Sequence, residues 1–434
     1  MAVLRPDCNI DWLESYPTDW KSMPLKRYFN FGKGLPITKA DLIECGEKVI
    51  SYGQIHAKYN TGVHIDSRLI RFVPSSYLET NYLSLCSKGD IIIADTSEDK
   101  DGCGNAVYVD TEEPIFAGYH TIILKSDKDN KYLSYLFLSD AWRSQIRKRV
   151  QGVKLFSITQ KILNQCSIVL PPYEEQREIV KYLDDCCSKI DEIIAEATAS
   201  IEEYKDLKQA VIFEAVTKGL DKKAPMKDSG IEWLPRVPVN WEVRRIASIY
   251  EESKETGRDD LPILLVSIHT GISDREIDDD ERDRKVIRSQ DKTIYKVVHK
   301  NYLAYNMMRA WQGGFGAATV DGLVSPAYVV ARPRITVNSS YIENVLRTPN
   351  AIEHIRGLSY GVADFRLRLY WPYFKGIKIP LPSLEEQNRI VAHIQEQSAK
   401  IDALISEKQA LIDDLQAYKK SLIYEVVTGK RRVV

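Results

Sequence analysis

The sequence predicts an α+β chain: two globular units of mixed α/β-rich character, joined by two long helices that pair as a coiled coil. Three observations predict it. Residues 170–220 carry one uninterrupted helical apolar stripe, residues 381–431 repeat it, and a short tryptophan signature opens the β-rich stretch before each copy.

The first helix opens at Pro171 and Pro172, which disfavour helix before them and permit it after. Glu174 and Glu175 then fall where a helix N-terminus stabilises negative charge. Ile179, Leu183, Cys186, Ile190, Ile193 and Ala197 recur at alternating steps of four and three, the spacing of a coiled-coil seam, and Gly219 marks its stop. About 43 helical residues make a rod of roughly 65 Å, and its apolar stripe needs a partner. That partner is the second copy. Gln176 and Gln387 lie 211 residues apart, and at that offset the copies align without a gap to the end of the helix. Leu170/Leu381, Glu175/Glu386, Lys189/Lys400, Asp191/Asp402 and Thr217/Thr428 all match. Apolar steps alone recur by chance; a shared Leu-Pro lead, Glu-Glu-Gln and Lys-Ile-Asp point to duplication. The expected pairing residues are Ile179, Leu183, Ile190 and Ile193 with Ile390, Ile394, Ile401 and Leu404.

A second repeat agrees. Ile10-Asp11-Trp12-Leu13 precedes Pro17 and Trp20, and Ile231-Glu232-Trp233-Leu234 precedes Pro238 and Trp241, at an offset of 221. The boundaries that follow are an N-terminal unit at 1–169, a helix at 170–220, a second unit at 221–380 and a helix at 381–434. Within the first insert, strands are expected at Lys48–Tyr52, Gly89–Ala94, Asn105–Val109 and Thr121–Leu124, broken by Asp101-Gly102 and Gly118. An amphipathic helix is expected over Tyr132–Arg149. Residues 221–230 read as a polar linker. The second insert repeats the β-rich style, with an acidic loop at Ser273–Arg284, a glycine-rich patch at Trp311–Gly316 and a helix over Ile342–Leu358.

Composition narrows the function classes. A chain of 434 residues with 44% apolar and 28% charged residues is ordinary for a soluble protein. No apolar run approaches a membrane span, and Asp7, Asp11 and Glu14 interrupt the N-terminus where a signal peptide would be apolar, so a cytoplasmic location is expected. Seven cysteines, all before residue 188 and none in a Cys-x-x-Cys pair, fit a reducing compartment and no structural zinc. The net charge is −1, yet the first helix is acidic and the second neutral, which leaves a positive excess on the inserts. A polyanion would meet the inserts. No phosphate-binding glycine loop or dinucleotide fingerprint is present. His56 and His64 lack metal-ligand spacing. Pro171-Pro172-Tyr173 resembles the loop of amino methyltransferases, but Leu170 stands where that loop needs a polar side chain, and Leu384 replaces the tyrosine in the second copy. A non-catalytic chain without a metal is expected.

These signatures together resemble the specificity (S, HsdS) subunits of type I restriction–modification systems. The residues that carry the resemblance are both tryptophan signatures, the Asp228-Ser229-Gly230 lead to the second, and both Leu-Pro…Glu-Glu-Gln helices. Asn306–Tyr328 is also similar to a recurring target-recognition-domain pattern; the first insert lacks its Ser-Pro-Ala-Tyr run. The resemblance implies that each insert is a target recognition domain reading one half of a split double-stranded DNA site. It implies an antiparallel, pseudo-twofold helix pair that holds the two domains apart and docks two methyltransferase (M) subunits, with restriction (R) motor-nuclease subunits able to join. No cofactor is implied in this chain; S-adenosylmethionine, and ATP with Mg when a nuclease joins, would sit on the partners. Base readers should be polar and basic residues on the inserts. The candidates are Arg143, Arg147, Lys148, Arg149, Gln151 and Lys154 in the first, and Arg309, Gln312, Tyr360, Arg366 and Arg368 in the second. Trp311 and Phe315 flank glycines there and are either contacts or core. A coiled-coil scaffold that binds no DNA stays open as the alternative, and it predicts no salt-dependent duplex binding.

Overall fold

In a computed structural model, which describes residues 4–5, 10–258, 260–276, 292–361 and 367–433, the prolines divide strand from helix as expected. Strand Ser167–Leu170 ends before Pro171 and helix Tyr173–Lys218 follows; strand Lys378–Leu381 ends before Pro382 and helix Leu384–Val427 follows. The chain forms two compact units, residues 1–197 with 410–434 and residues 198–409. Each long helix therefore gives its beginning to one unit and its end to the other.

The first unit holds two four-stranded sheets. One runs Ala106–Tyr108, Ile91–Ala94, Thr121–Lys125, Asn30–Lys33, all antiparallel. The other runs Arg71–Val73, Glu47–Ile50, Ile115–Ala117, Leu85–Cys86, with its central pair parallel. Ile91–Ala94 is buried on both faces, which is why the sequence there is continuously apolar instead of alternating. The four expected strands are present, although Lys48–Tyr52 ends early and turns into the short helix Tyr52–Ile55. The helix expected over Tyr132–Arg149 is two, Lys131–Leu138 and Asp140–Arg147. Ser139 leaves the helical region (φ −71°, ψ 133°), and its hydroxyl accepts from Trp142 N at 3.3 Å as an N-cap.

The second unit has one four-stranded antiparallel sheet: Tyr250–Ser253, Tyr328–Pro333, Leu303–Asn306, Phe315–Ala317. Its late helix is also two, Ser339–Leu346 and Pro349–Gly357, because Pro349 starts a helix where it could not continue one. The expected linker at 221–230 is partly strand: Met226–Ile231 forms a hairpin with Leu234–Pro238. The acidic loop expected at Ser273–Arg284 lies outside the described residues from position 277 on.

Beneath these different sheets, the sequence repeat is a repeat of contacts. Trp20 Nε1 donates to Glu175 at 3.1 Å, and Trp241 Nε1 donates to Glu386 at 2.9 Å. The Tyr132 hydroxyl donates to the Val427 carbonyl at 2.9 Å, and that of Tyr341 to the Val216 carbonyl at 3.3 Å. Strand Lys21–Pro24 pairs with Ser167–Leu170 in the register in which Glu242–Arg245 pairs with Lys378–Leu381. Both helices end on a left-handed glycine, Gly219 (φ +76°) and Gly429 (φ +73°). A Cβ on either would lie 3.2 Å from the ring of its unit's signature tryptophan, Trp241 or Trp20.

Within each unit the helix segments run antiparallel. In the first, Asp191 meets Lys419 at 2.6 Å, while Glu175 meets Arg432 at 2.6 Å. In the second, Lys208 meets Asp402 at 2.7 Å, while Gly219 lies against Glu386. Ile179, Leu183, Ile190, Ile390, Ile394 and Ile401 are buried in the seam as expected. Ile193 and Leu404 are not: they are 44% and 41% exposed. The buried positions run 179, 183, 187, two successive steps of four, which is the pitch of a straight helix lying on a globular core. Alternation starts only after that, so Cys187 and Ile194 replace Cys186 and Ile193. Ile401 to Ile405 is likewise a step of four, which turns Leu404 outward.

Candidate nucleic-acid interface

The basic cluster of the first unit divides into braced and exposed side chains. Arg143 Nε donates to the Phe137 carbonyl at 2.8 Å. Burial, with Arg147 nearby, lowers its guanidinium pKa to about 10. Arg147 donates to the Asp101 carbonyl at 2.7 Å and pairs with Asp140 at 3.0 Å. Arg149 donates to the Gln145 carbonyl at 2.8 Å and reaches Asp11 at 3.4 Å. Three of the five expected arginine and lysine readers thus brace their own unit. Lys148, Gln151 and Lys154 are exposed, as are the neighbouring Val153 (96%) and Leu155 (55%).

The segment braced by Arg147 runs from Asp95 to Asn105. His56, isolated in sequence, lies 2.8 Å from the Thr96 carbonyl through Nε2 and 3.0 Å from Asn105 Nδ2 through Nδ1, so it clamps both ends of that segment. Strand Phe156–Ser157 pairs with Thr96 and Ser97 and carries the exposed loop 151–155 to the same place. His64 pairs with Asp110 at 2.9 Å on the surface.

In the second unit Arg309 donates to Gln312 at 2.7 Å across the turn Ala310–Gln312, and both side chains are half-buried. Trp311 is partly buried, its Nε1 donating to the Met308 carbonyl at 3.0 Å, with Arg356 5.7 Å from its ring. Phe315 is fully buried against Phe374 and is core. Tyr360 is 57% exposed, with its ring 4.6 Å from that of Tyr373, and its backbone pairs both ways with the exposed Arg368 at 3.0 Å. Arg366 lies outside the described residues.

One brace was not legible in the sequence. Arg347 donates to the carbonyls of Ile268 (2.9 Å) and His269 (2.6 Å), at the tip between strands Val266–Ser267 and Gly271–Ile272. It pairs with the partly buried Glu343, which accepts from Ala317 N at 2.9 Å and whose pKa desolvation raises. In each unit, then, an arginine from a late helix fixes an exposed turn through backbone carbonyls. Among the described residues no His, Cys, Asp and Glu group could hold a metal ion, and no helix is long and apolar enough to cross a membrane.

Comparison with known proteins fits this geometry. Residues 17–203 match the type I restriction modification DNA specificity domain family. The type I restriction enzyme MjaVIII specificity subunit of Methanocaldococcus jannaschii is 28% identical over 144 residues, 32% of either chain. The EcoBI specificity subunit of Escherichia coli is 26% identical over 297 residues, 63% of this chain and 60% of that one. The chain is thus similar to type I specificity subunits, and its first half carries the match to their DNA specificity domain. It spans about a third of the length of the first such relative in matched residues. The fold agrees over nearly the whole chain. A solved chain from work on complex assembly and conformational transition of the type I R-M system superposes with a TM-score of 0.66 at 16% identity, covering 96% of this chain and 99% of that one. The HsdS subunit of Thermoanaerobacter tengcongensis gives 0.50 at 17% identity, covering 96% and 98%.

Proposed function

We propose that this chain is the DNA sequence-recognition subunit of a type I restriction–modification complex, each unit reading one half of a two-part site. The observation that carries this reading is one set of anchoring contacts, made twice, under two unlike sheets. A twofold assembly of identical readers would require identical half-sites; two readers on one chain are free to diverge while their anchorage stays the same.

The chain is non-catalytic in this reading. S-adenosylmethionine belongs to M subunits, and ATP with Mg to an R subunit where one joins. Two M subunits fit the exposed apolar residues of the helices. Ile193 (44%) and Tyr418 (51%) in the first unit correspond, at the 211 offset, to Leu404 (41%) and Leu207 (49%) in the second. Each set stands beside an Asp–Lys pair and offers one apolar patch to a partner helix. Two equal patches call for two copies of one partner.

The test is to map methylated adenines in DNA from cells carrying the chain and its methyltransferase, alongside duplex binding at increasing salt. A two-part motif with a fixed gap, and binding that falls steeply with salt, are expected. Salt-insensitive binding with no methylated motif overturns the reading.

A further inference from the structure

His120 carries an unusual backbone. Its φ is +56°, and Asn301 (φ +66°) is the other non-glycine residue in that region among the described residues. Asn301 has a structural reason: its side chain donates to the Val337 carbonyl and accepts from Ser339 N, at 2.8 and 2.9 Å. His120 is held at its carbonyl, which accepts from Asp95 N at 3.0 Å, while its imidazole is 57% exposed and makes only long contacts. It occupies the turn between strands Ile115–Ala117 and Thr121–Lys125, a place where glycine would adopt the same backbone without strain. A histidine there places an exposed ring at a turn that glycine would also form.

The ring has company. Its centroid lies 5.3 Å from that of Tyr52 and 5.9 Å from that of Tyr119, and the two tyrosines are 5.5 Å apart. Nδ1 faces Asp95 at 3.4 Å and Thr96 Oγ1 at 3.5 Å. Among the described residues, Nε2 and the hydroxyls of Tyr52 and Tyr119 have no hydrogen-bond partner. The platform beneath is fixed by Tyr52 N donating to the Tyr119 carbonyl at 3.2 Å and Gly118 N to the Ile50 carbonyl at 2.7 Å. Ile158 N donates to the Asp95 carbonyl at 2.7 Å and brings the exposed loop 151–155 alongside.

We infer that base recognition in the first unit centres on Tyr52, Tyr119 and His120, with Gln151 and Lys154 beside them, and not on the arginines of the preceding helix. This rests on the DNA reading above. Three hydrogen-bonding groups without partners, on rings held by backbone bonds, suit base edges, which are read by groups of fixed position. The arginines at 143, 147 and 149 already serve the unit itself. The exposed carboxylates of Glu98 and Asp101 on the adjoining turn repel phosphate and can accept from cytosine amines, so this surface suits bases better than backbone.

The experiment uses the full chain with its methyltransferase subunit and a pool of duplexes with randomised positions, sequencing what is retained. His120→Asn keeps a residue type that tolerates the left-handed backbone, and Tyr52→Phe and Tyr119→Phe each remove one hydroxyl. Wild type should enrich a two-part site. At least one of the three variants should change or lose the preferred base at positions in one half by roughly tenfold, leaving the other half as an internal control of folding. Unchanged preference in both halves for all three variants overturns the inference. So does loss of both halves in His120→Gly, which relaxes the backbone and would mark the residue as structural. A wild-type complex that enriches no sequence instead brings down the DNA reading itself.

Discussion

In the first unit Glu175 accepts from Trp20 and pairs with Arg432, which also holds Asp19 at 2.7 Å. In the second, the matching Glu386 accepts from Trp241, and the position matching Arg432 is Asp221, where the chain runs on into a hairpin. The anchorage is the same; what closes it differs. In one unit an ion pair from Arg432 closes the anchorage, and in the other the chain leads from Asp221 into the Met226–Ile231 hairpin. The buried contacts repeat, and the residues that flank them differ.

The comparison breaks first at the tryptophans. Trp20→Ala and Trp241→Ala should each cost about 3–5 kcal/mol, measured by urea unfolding, because each leaves a cavity and takes a donor from a carboxylate. A large loss in one unit and a negligible one in the other would mean that the anchors are not equivalent.

Arg432→Ala sharpens the difference, with an expected cost of about 1–3 kcal/mol confined to the first unit. It should also alter the acid limb. The hydrogen bond from Arg432 holds the Asp19 carboxyl below its ordinary value. Its contribution is complete above that value of 3.8 and is lost as pH falls through the depressed one, a dependence the variant should lack. The second unit has the opposite sign. Asp321 first, and Glu255 also, raise the His299 pKa above 6.5, so its contribution is complete below 6.5 and is lost as pH rises through the raised value. Unfolding midpoints across pH 2–9 for Arg432→Ala and His299→Gln check both signs.

Tyr132→Phe and Tyr341→Phe should cost about 1 kcal/mol each. The cost should be larger at Tyr341, whose hydroxyl also lies 3.3 Å from the Pro380 carbonyl. The smallest effects belong to Asp191→Asn and Asp402→Asn, about 0.5 kcal/mol or less, since both ion pairs are partly exposed and screened. A loss of several kcal/mol at either would give those pairs a role in register.

Much of the frame was legible, because periodic burial writes itself into sequence: the Gln176/Gln387 repeat, the tryptophan signatures and the Pro-started helices are all where they were expected. The seam slipped at Ile193 and Leu404, since two consecutive steps of four depend on what the helix start rests against. Ser139 carries the signal of the break between the two short helices: serine followed by an acidic residue is an N-cap pattern. The fates of Arg143, Arg147 and Arg149 were not legible. A carbonyl acceptor is supplied by tertiary folding, and an arginine bracing a turn looks in sequence like one awaiting phosphate. His56 and His120 were opaque for the same reason, their partners lying about 40 and 24 residues away along the chain.

The most direct test replaces residues 242–381 with residues 21–170, joining at the equivalent strand positions. If one frame carries two independent readers, the exchanged chain with its methyltransferase will methylate a site whose two halves are both the original first half. A folded chimera that keeps the original second half, or that loses the first along with it, would contradict the account.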